Sequence, residues 1–199
     1  MDKPIELDAD DPEAIDELLK YLYTLSDHIK VRPLTRGRWE IYLLPDEVKY
    51  LEELPKEVKH LTGILVVANK YLVSDLVMLV DSKIKQRLLW FQDRAARIEK
   101  KEAANLVSQL TEALYPREEI PTLQKHQSLF VVTITRQYSM ASSGSQMKDL
   151  IQNHPKLGSD LVERLDALLQ EKDETIQDQG RQIQNMRAEL PKSKRKRFE

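Results

Sequence analysis

Asp10-Asp11-Pro12-Glu13-Ala14-Ile15-Asp16-Glu17-Leu18-Leu19-Lys20-Tyr21-Leu22-Tyr23-Thr24 decides how the front of this chain folds. Asp11 is placed to accept hydrogen bonds from the first free N–H groups of a helix. Pro12 fits the first helical position, where its missing N–H is not needed. Glu13, Asp16 and Glu17 set negative charge at the positive end of the helix dipole. Ile15, Leu18, Leu19 and Leu22 then recur at i, i+3, i+4 and i+7, drawing one apolar stripe that requires a partner surface.

Working outward, Pro4–Asp8 alternates in the manner of a short strand, and His28–Val31 reads as a second. Arg32–Arg38 is a basic turn broken by Pro33 and Gly37. Trp39–Leu44 reads as a strand or an ordered loop, and Asp46–Leu51 as a turn or two of helix before Pro55 starts a new helix. From Lys56, the spacing of Val58, Leu61, Leu65, Ala68 and Leu72 is helical, and Ile64, Val66 and Val67 widen the stripe almost all round. Ser74 reads as the cap of the next helix, with Val77, Val80, Ile84, Leu88 and Phe91 on its inner face. The charged run Gln92–Lys101 reads as that helix leaving the core.

Ordered as strand, acidic turn, capped helix and Tyr21-Leu22-Tyr23-Thr24, followed by Ala68-Asn69-Lys70-Tyr71 and Asp75-Leu76, the first 90 residues resemble a BTB/POZ domain of the fungal type. The resemblance implies a mainly α fold with a few short β-strands (α+β). It implies a partial BTB/POZ-like domain over residues 1–100 with an insertion at 32–54 and a helical extension over 101–155, before a long helix over 156–190 and a basic tail over 191–199 that the residues themselves suggest. The family's front strand pair and helical hairpin have no counterpart before Ile5. The resemblance also implies protein binding through Ile5, Leu7, Ile15, Leu18, Leu22, Tyr23 and Leu76, with a cullin-type ubiquitin-ligase scaffold or a second copy as partner. Without the family's front, the Ile5–Leu7 edge and the stripe of Ile15, Leu18, Leu19 and Leu22 lack their usual cover. Self-association through that face is therefore expected, with Trp39–Leu44 folding back as the alternative cover.

Further along, Leu106, Val107, Leu110 and Leu114 mark another amphipathic helix, stopped by Pro116. Leu129–Thr135 is rich enough in β-branched residues to read as a strand on propensity, but the helical extension of the fungal relatives implies helix. Met147–Asn153 reads as a short helix after the break at Ser142–Ser145. Val162, Leu169, Ile176, Ile183 and Leu190 then repeat every seven residues, with Leu165, Lys172, Gln179 and Met186 between them. Two readings stand: a coiled coil with a polar middle, or one amphipathic helix whose first half packs on the body.

Bulk chemistry narrows the function. The chain has 199 residues, 41% hydrophobic and 32% charged, and no cysteine. That composition fits a helical intracellular protein and removes disulfides and thiolate metal sites. No apolar run approaches the ~20 residues needed to span a bilayer, and an acidic N-terminus argues against a signal or transit peptide. Net charge is −2; setting aside the five positives of Lys192–Arg197 and the one negative of Glu199 leaves −6 on residues 1–191. An acidic body argues against specific nucleic-acid binding.

No catalytic, cofactor or metal site emerges. His28, His60, His126 and His154 lack ligand spacing, and Asp8, Asp10 and Asp11 lack the glycine and distal glutamate of a calcium loop. Ser145-Gln146-Met147-Lys148 matches a serine–lysine pattern without that class's other motifs. Gly63, inside a helix pattern, marks close packing. Lys194-Arg195-Lys196-Arg197 fits a nuclear import signal, which favours the nucleus over the cytoplasm, while a solubilising tail is the plainer alternative. Three functions follow for a non-enzyme: a BTB-type interaction module, a coiled-coil scaffold, or a nuclear regulator acting through its basic tail.

Overall fold

The computed structural model describes residues 10–25, 29, 45–98, 100–116, 120–138 and 144–189. These form α1 (Pro12–Thr24), α2 (Pro45–Lys70), α3 (Ser74–Arg94), α4 (Lys100–Leu114), α5 (Gln124–Tyr138), α6 (Gly144–Asn153) and α7 (Pro155–Glu189), with 3-10 turns at Ala95–Arg97 and Pro121–Leu123. Among the described residues there is no strand and no sheet, so the expected α+β class is corrected to all-α. The strands expected at Pro4–Asp8 and Trp39–Leu44, and all but Ile29 of that at His28–Val31, lie outside the described residues. The chain divides into two units, Met1–Asp160 and Leu161–Glu199.

The first unit is built around α2. This helix packs on α1, α3 and α4, while α3 also packs on α5. Val58, Leu61, Ile64, Leu65 and Ala68 are fully buried, which is why the stretch Leu61–Ala68 of α2 is apolar nearly all round. The break expected at Pro55 does not occur: α2 runs through it. Proline inside a helix costs about 3 kcal/mol, and burial of Leu51, Leu54, Val58 and Leu61 on either side holds both halves against the core. Because Tyr50, Leu51 and Leu54 are buried, the back of the expected 32–54 insertion belongs to the core. Likewise α4 lies against α2, so residues on either side of position 100 share one interior.

Helix α1 begins as its sequence dictates. Asp11 accepts from the Glu13 N–H at 3.1 Å, and Asp10 accepts from Lys70 Nζ at 2.8 Å and from the Tyr71 hydroxyl at 3.0 Å. Lys70 holds the Asp10 carboxyl below its ordinary value. Those contacts pin the start of α1 to the end of α2. The first part of the stripe packs on α2, where Leu18 is buried beside Ala14 and Ile15 is half-buried, while Leu19 and Leu22 are 45% and 48% exposed. Gly63 makes this possible, since a Cβ there would stand 3.1 Å from Asp11 Oδ2 and 3.7 Å from Ala14 Cβ.

Two residues expected in the core are outside it. Leu22 is 48% exposed, near the end of α1 and past the covered part of its stripe. Leu72 is 84% exposed with φ of 58°. It follows the end of α2, where Val73 N–H donates to Ala68 O (2.9 Å) and Leu72 N–H to Asn69 O (3.2 Å). That is a Schellman motif with leucine in the left-handed position usually held by glycine. Ser74 is the first helical residue of α3 rather than its cap, and the preceding Val73 offers no side-chain cap.

On α3, Val80, Ile84, Leu88 and Phe91 are buried as their spacing requires. The charged run after Phe91 does not leave the core at once: Arg94 and Ala95 are buried. Leu129–Thr135 is helical, within α5. Leu123, Phe130 and Ile134 face inward, and the Thr133 and Thr135 hydroxyls donate to the carbonyls of Leu129 and Val131, both at 3.0 Å. A β-branched run thus satisfies its own polar atoms on a helix. Gln127 Nε2 donates to Leu114 O at 2.8 Å, meeting a carbonyl that the end of α4 leaves free.

Candidate interaction surface

Among the described residues, those predicted to bind proteins near the front differ in exposure. Leu18 and Leu76 are buried in the core and closed to any partner, and Ile15 is half-buried. Leu76 sits in the first turn of α3, facing inward, which its short motif alone does not reveal. Leu22 and Tyr23 are exposed, beside Leu19 and Leu25 at the end of α1. Ile5 and Leu7 lie outside the described residues, as do Leu190 and the basic run Lys194, Arg195, Lys196 and Arg197.

The coiled-coil positions behave differently. In α7, Val162, Leu165, Leu169, Ile176, Ile183 and Met186 are between 49% and 64% exposed. Their spacing keeps them along one seam of a helix, and α7 is continuous from Pro155 to Glu189. A helix that exposes a repeated apolar seam to water gains by laying it against another helix. At d positions the seam carries Lys172 and Gln179, both exposed, and Gly180 has open space around it.

In the first unit, two buried arginines join α3 to α2. Arg87 donates from Nε and Nη2 to the two oxygens of Glu57, at 3.0 and 3.1 Å, and the Tyr50 hydroxyl donates to the same carboxylate at 2.6 Å. Tyr50 meets Trp90 edge-on at 4.6 Å, and the Arg94 guanidinium stacks 4.5 Å from the Trp90 ring centre. Arg94 Nε in turn donates to Glu47 at 2.9 Å. Two cations thus flank this pair of rings between α2 and α3, and each of these buried charges is paired. Sequence reasoning missed this ladder. The available signal was that Arg87 and Arg94 fall at seam spacing beside Leu88 and Phe91, while Glu47 and Glu57 flank the buried Tyr50, Leu51 and Leu54.

His126 is buried on α5 with Nε2 3.0 Å from Asp81 Oδ1. Burial pushes its pKa below the ordinary value, although Asp81 pulls the other way. Tyr115 donates to Asp160 at 2.8 Å, and burial raises the phenol pKa far above its usual range. Between α4 and α6 lies an open groove of about 690 Å³, lined by Glu102, Asn105, Ser108, Glu112, Asp149 and His154 among others. Among the described residues, no three His, Cys, Asp or Glu side chains are grouped to hold a metal, and no helix is long and apolar enough to cross a membrane.

No family model matches this chain, and neither a curated protein nor a solved structure matches it.

Proposed function

We propose that the protein works by binding other proteins, and that its binding element is the seam of α7, which pairs with another helix as a coiled coil. The observation that carries this is the seam itself: six large apolar side chains at heptad spacing, all at least 49% exposed, on one unbroken helix. Isolated exposed leucines are ordinary on protein surfaces, but a repeated row of them is not. The helices of the first unit then serve as the platform from which α7 is presented.

Ending the chain at Asp160 tests this while keeping Leu157 and the Tyr115–Asp160 hydrogen bond. The shortened chain is expected to melt cooperatively and to have lost association. Association that survives would move the binding surface to the body, where Leu22 and Tyr23 at the end of α1 are the open candidates. We also propose that Lys194–Arg197 directs nuclear import, on the strength of four contiguous basic residues. A reporter too large to diffuse into the nucleus, fused to residues 191–199, should enter it and should fail to do so with Lys194→Ala and Arg195→Ala.

A further inference from the structure

Charge is segregated along the C-terminal unit. From Leu161 to Gln179, six acidic residues stand against Arg164 and Lys172, a net −4. From Gly180 to the end of α7 at Glu189, Arg181 and Arg187 stand against Glu189, a net +1. The division falls in the middle of the exposed seam, between Ile176 and Ile183.

We propose that the partner of α7 is a second copy of this chain, laid antiparallel, an inference that rests on α7 being the binding element. Two copies running the same way in register would set −4 on −4 and +1 on +1. Two copies running opposite ways move each acidic stretch off its own copy and along the partner's weakly basic end, twice, about a two-fold axis. The seam chemistry points the same way. In a parallel in-register pair each d position faces its own copy, so Lys172 would meet Lys172 across the interface and Gln179 would meet Gln179. In an antiparallel pair each d position faces an a position. Lys172 then lies across from an apolar residue of the seam, with its ammonium free to reach outward to the acidic side chains around it. One sequence thus carries both an attraction favouring one orientation and a repulsion disfavouring the other.

Because the chain has no cysteine, one introduced thiol takes a spin label cleanly. Glu163→Cys and Gln177→Cys are both exposed positions on α7, and unchanged helicity by circular dichroism verifies folding. Each variant is made in the full chain, shown by sedimentation to be a dimer, and its label-to-label distance measured by pulsed electron resonance. Near the seam's centre, the Gln177→Cys labels are expected close together. Near one end, the Glu163→Cys labels are expected at least ~30 Å apart, because antiparallel copies offset them by roughly 20 residues or more at about 1.5 Å each. A dimer with both pairs of labels close would overturn the antiparallel orientation and leave α7 as the binding element. A full chain that stays monomeric at high micromolar concentration would overturn the second copy as partner. Association that persists in the chain ending at Asp160 would overturn α7 as the binding element, and so separates the two failures.

Discussion

Arg94 Nε lies 2.9 Å from Glu47 Oε1, and both side chains are only 6% exposed. Forty-seven positions apart in sequence, they close one end of the ladder that joins α2 to α3. Breaking such a pair from one side strands a charge in the interior, which costs ~3–5 kcal/mol, whereas removing both charges for apolar groups of similar size is often neutral. Arg94→Met should therefore destabilise the protein by roughly that range, and Glu47→Leu with Arg94→Met should recover most of the loss. Urea unfolding measures both. A single variant within about 0.5 kcal/mol of the parent, as for an ordinary surface site, would show that the pair does not hold the two helices.

Backbone chemistry gives a contrast among three positions. Leu72 sits in the left-handed region at φ of 58° with its side chain in water. Leu72→Gly should therefore relieve about 1 kcal/mol of strain and raise the melting temperature. Gly180 has nothing within 4 Å of where a Cβ would stand, so Gly180→Ala should stabilise α7 by about 1 kcal/mol. Gly63→Ala should gain less, because its Cβ would stand 3.1 Å from Asp11 Oδ2 and the capping carboxylate would have to give way, while Ala14 at 3.7 Å is in ordinary contact.

His126 makes stability depend on pH in a definite direction. Its folded pKa is lowered by burial, so the unfolded chain takes up a proton first as pH falls. Stability is unaffected by this group above the unfolded value of about 6.5 and falls below it, by at most ~1.4 kcal/mol per pH unit until the folded pKa is reached. Asp81 faces the imidazole, and Lys125 and Lys85 add positive charge nearby. Urea midpoints at pH 7 and pH 5 should differ more for the parent than for His126→Leu. An equal drop in both would assign the acid sensitivity to the carboxylates.

The start of α1 could be read from sequence because its determinants are local: Asp11 caps and Pro12 sets the first turn. The same stripe did not reveal its partner or its extent, since spacing alone does not show that α2 covers Leu18 and leaves Leu19 and Leu22 exposed. Periodicity named the right face for Val80, Ile84 and Leu88 but included Leu72, because spacing does not mark where a helix stops. Arg87 and Arg94 went unnoticed as interior residues because an isolated charge reads as solvent-facing until its distant carboxylate is known. In α5, propensity favoured a strand for Val131-Val132-Thr133-Ile134, yet burial of Phe130, Val131 and Ile134 on the helix outweighed it. The seam of α7 was readable from its heptads, whereas its exposure required the structure.

Association through α7 is most directly tested by sedimentation velocity on the full chain over a dilution series, beside a variant carrying Ile176→Asp and Ile183→Asp. Both residues are exposed, so the variant should keep its helicity and melting behaviour. The parent is expected to sediment as a dimer that dissociates on dilution, and the variant as a monomer throughout. A monomeric parent at high micromolar concentration, or a variant that associates as the parent does, would contradict the account.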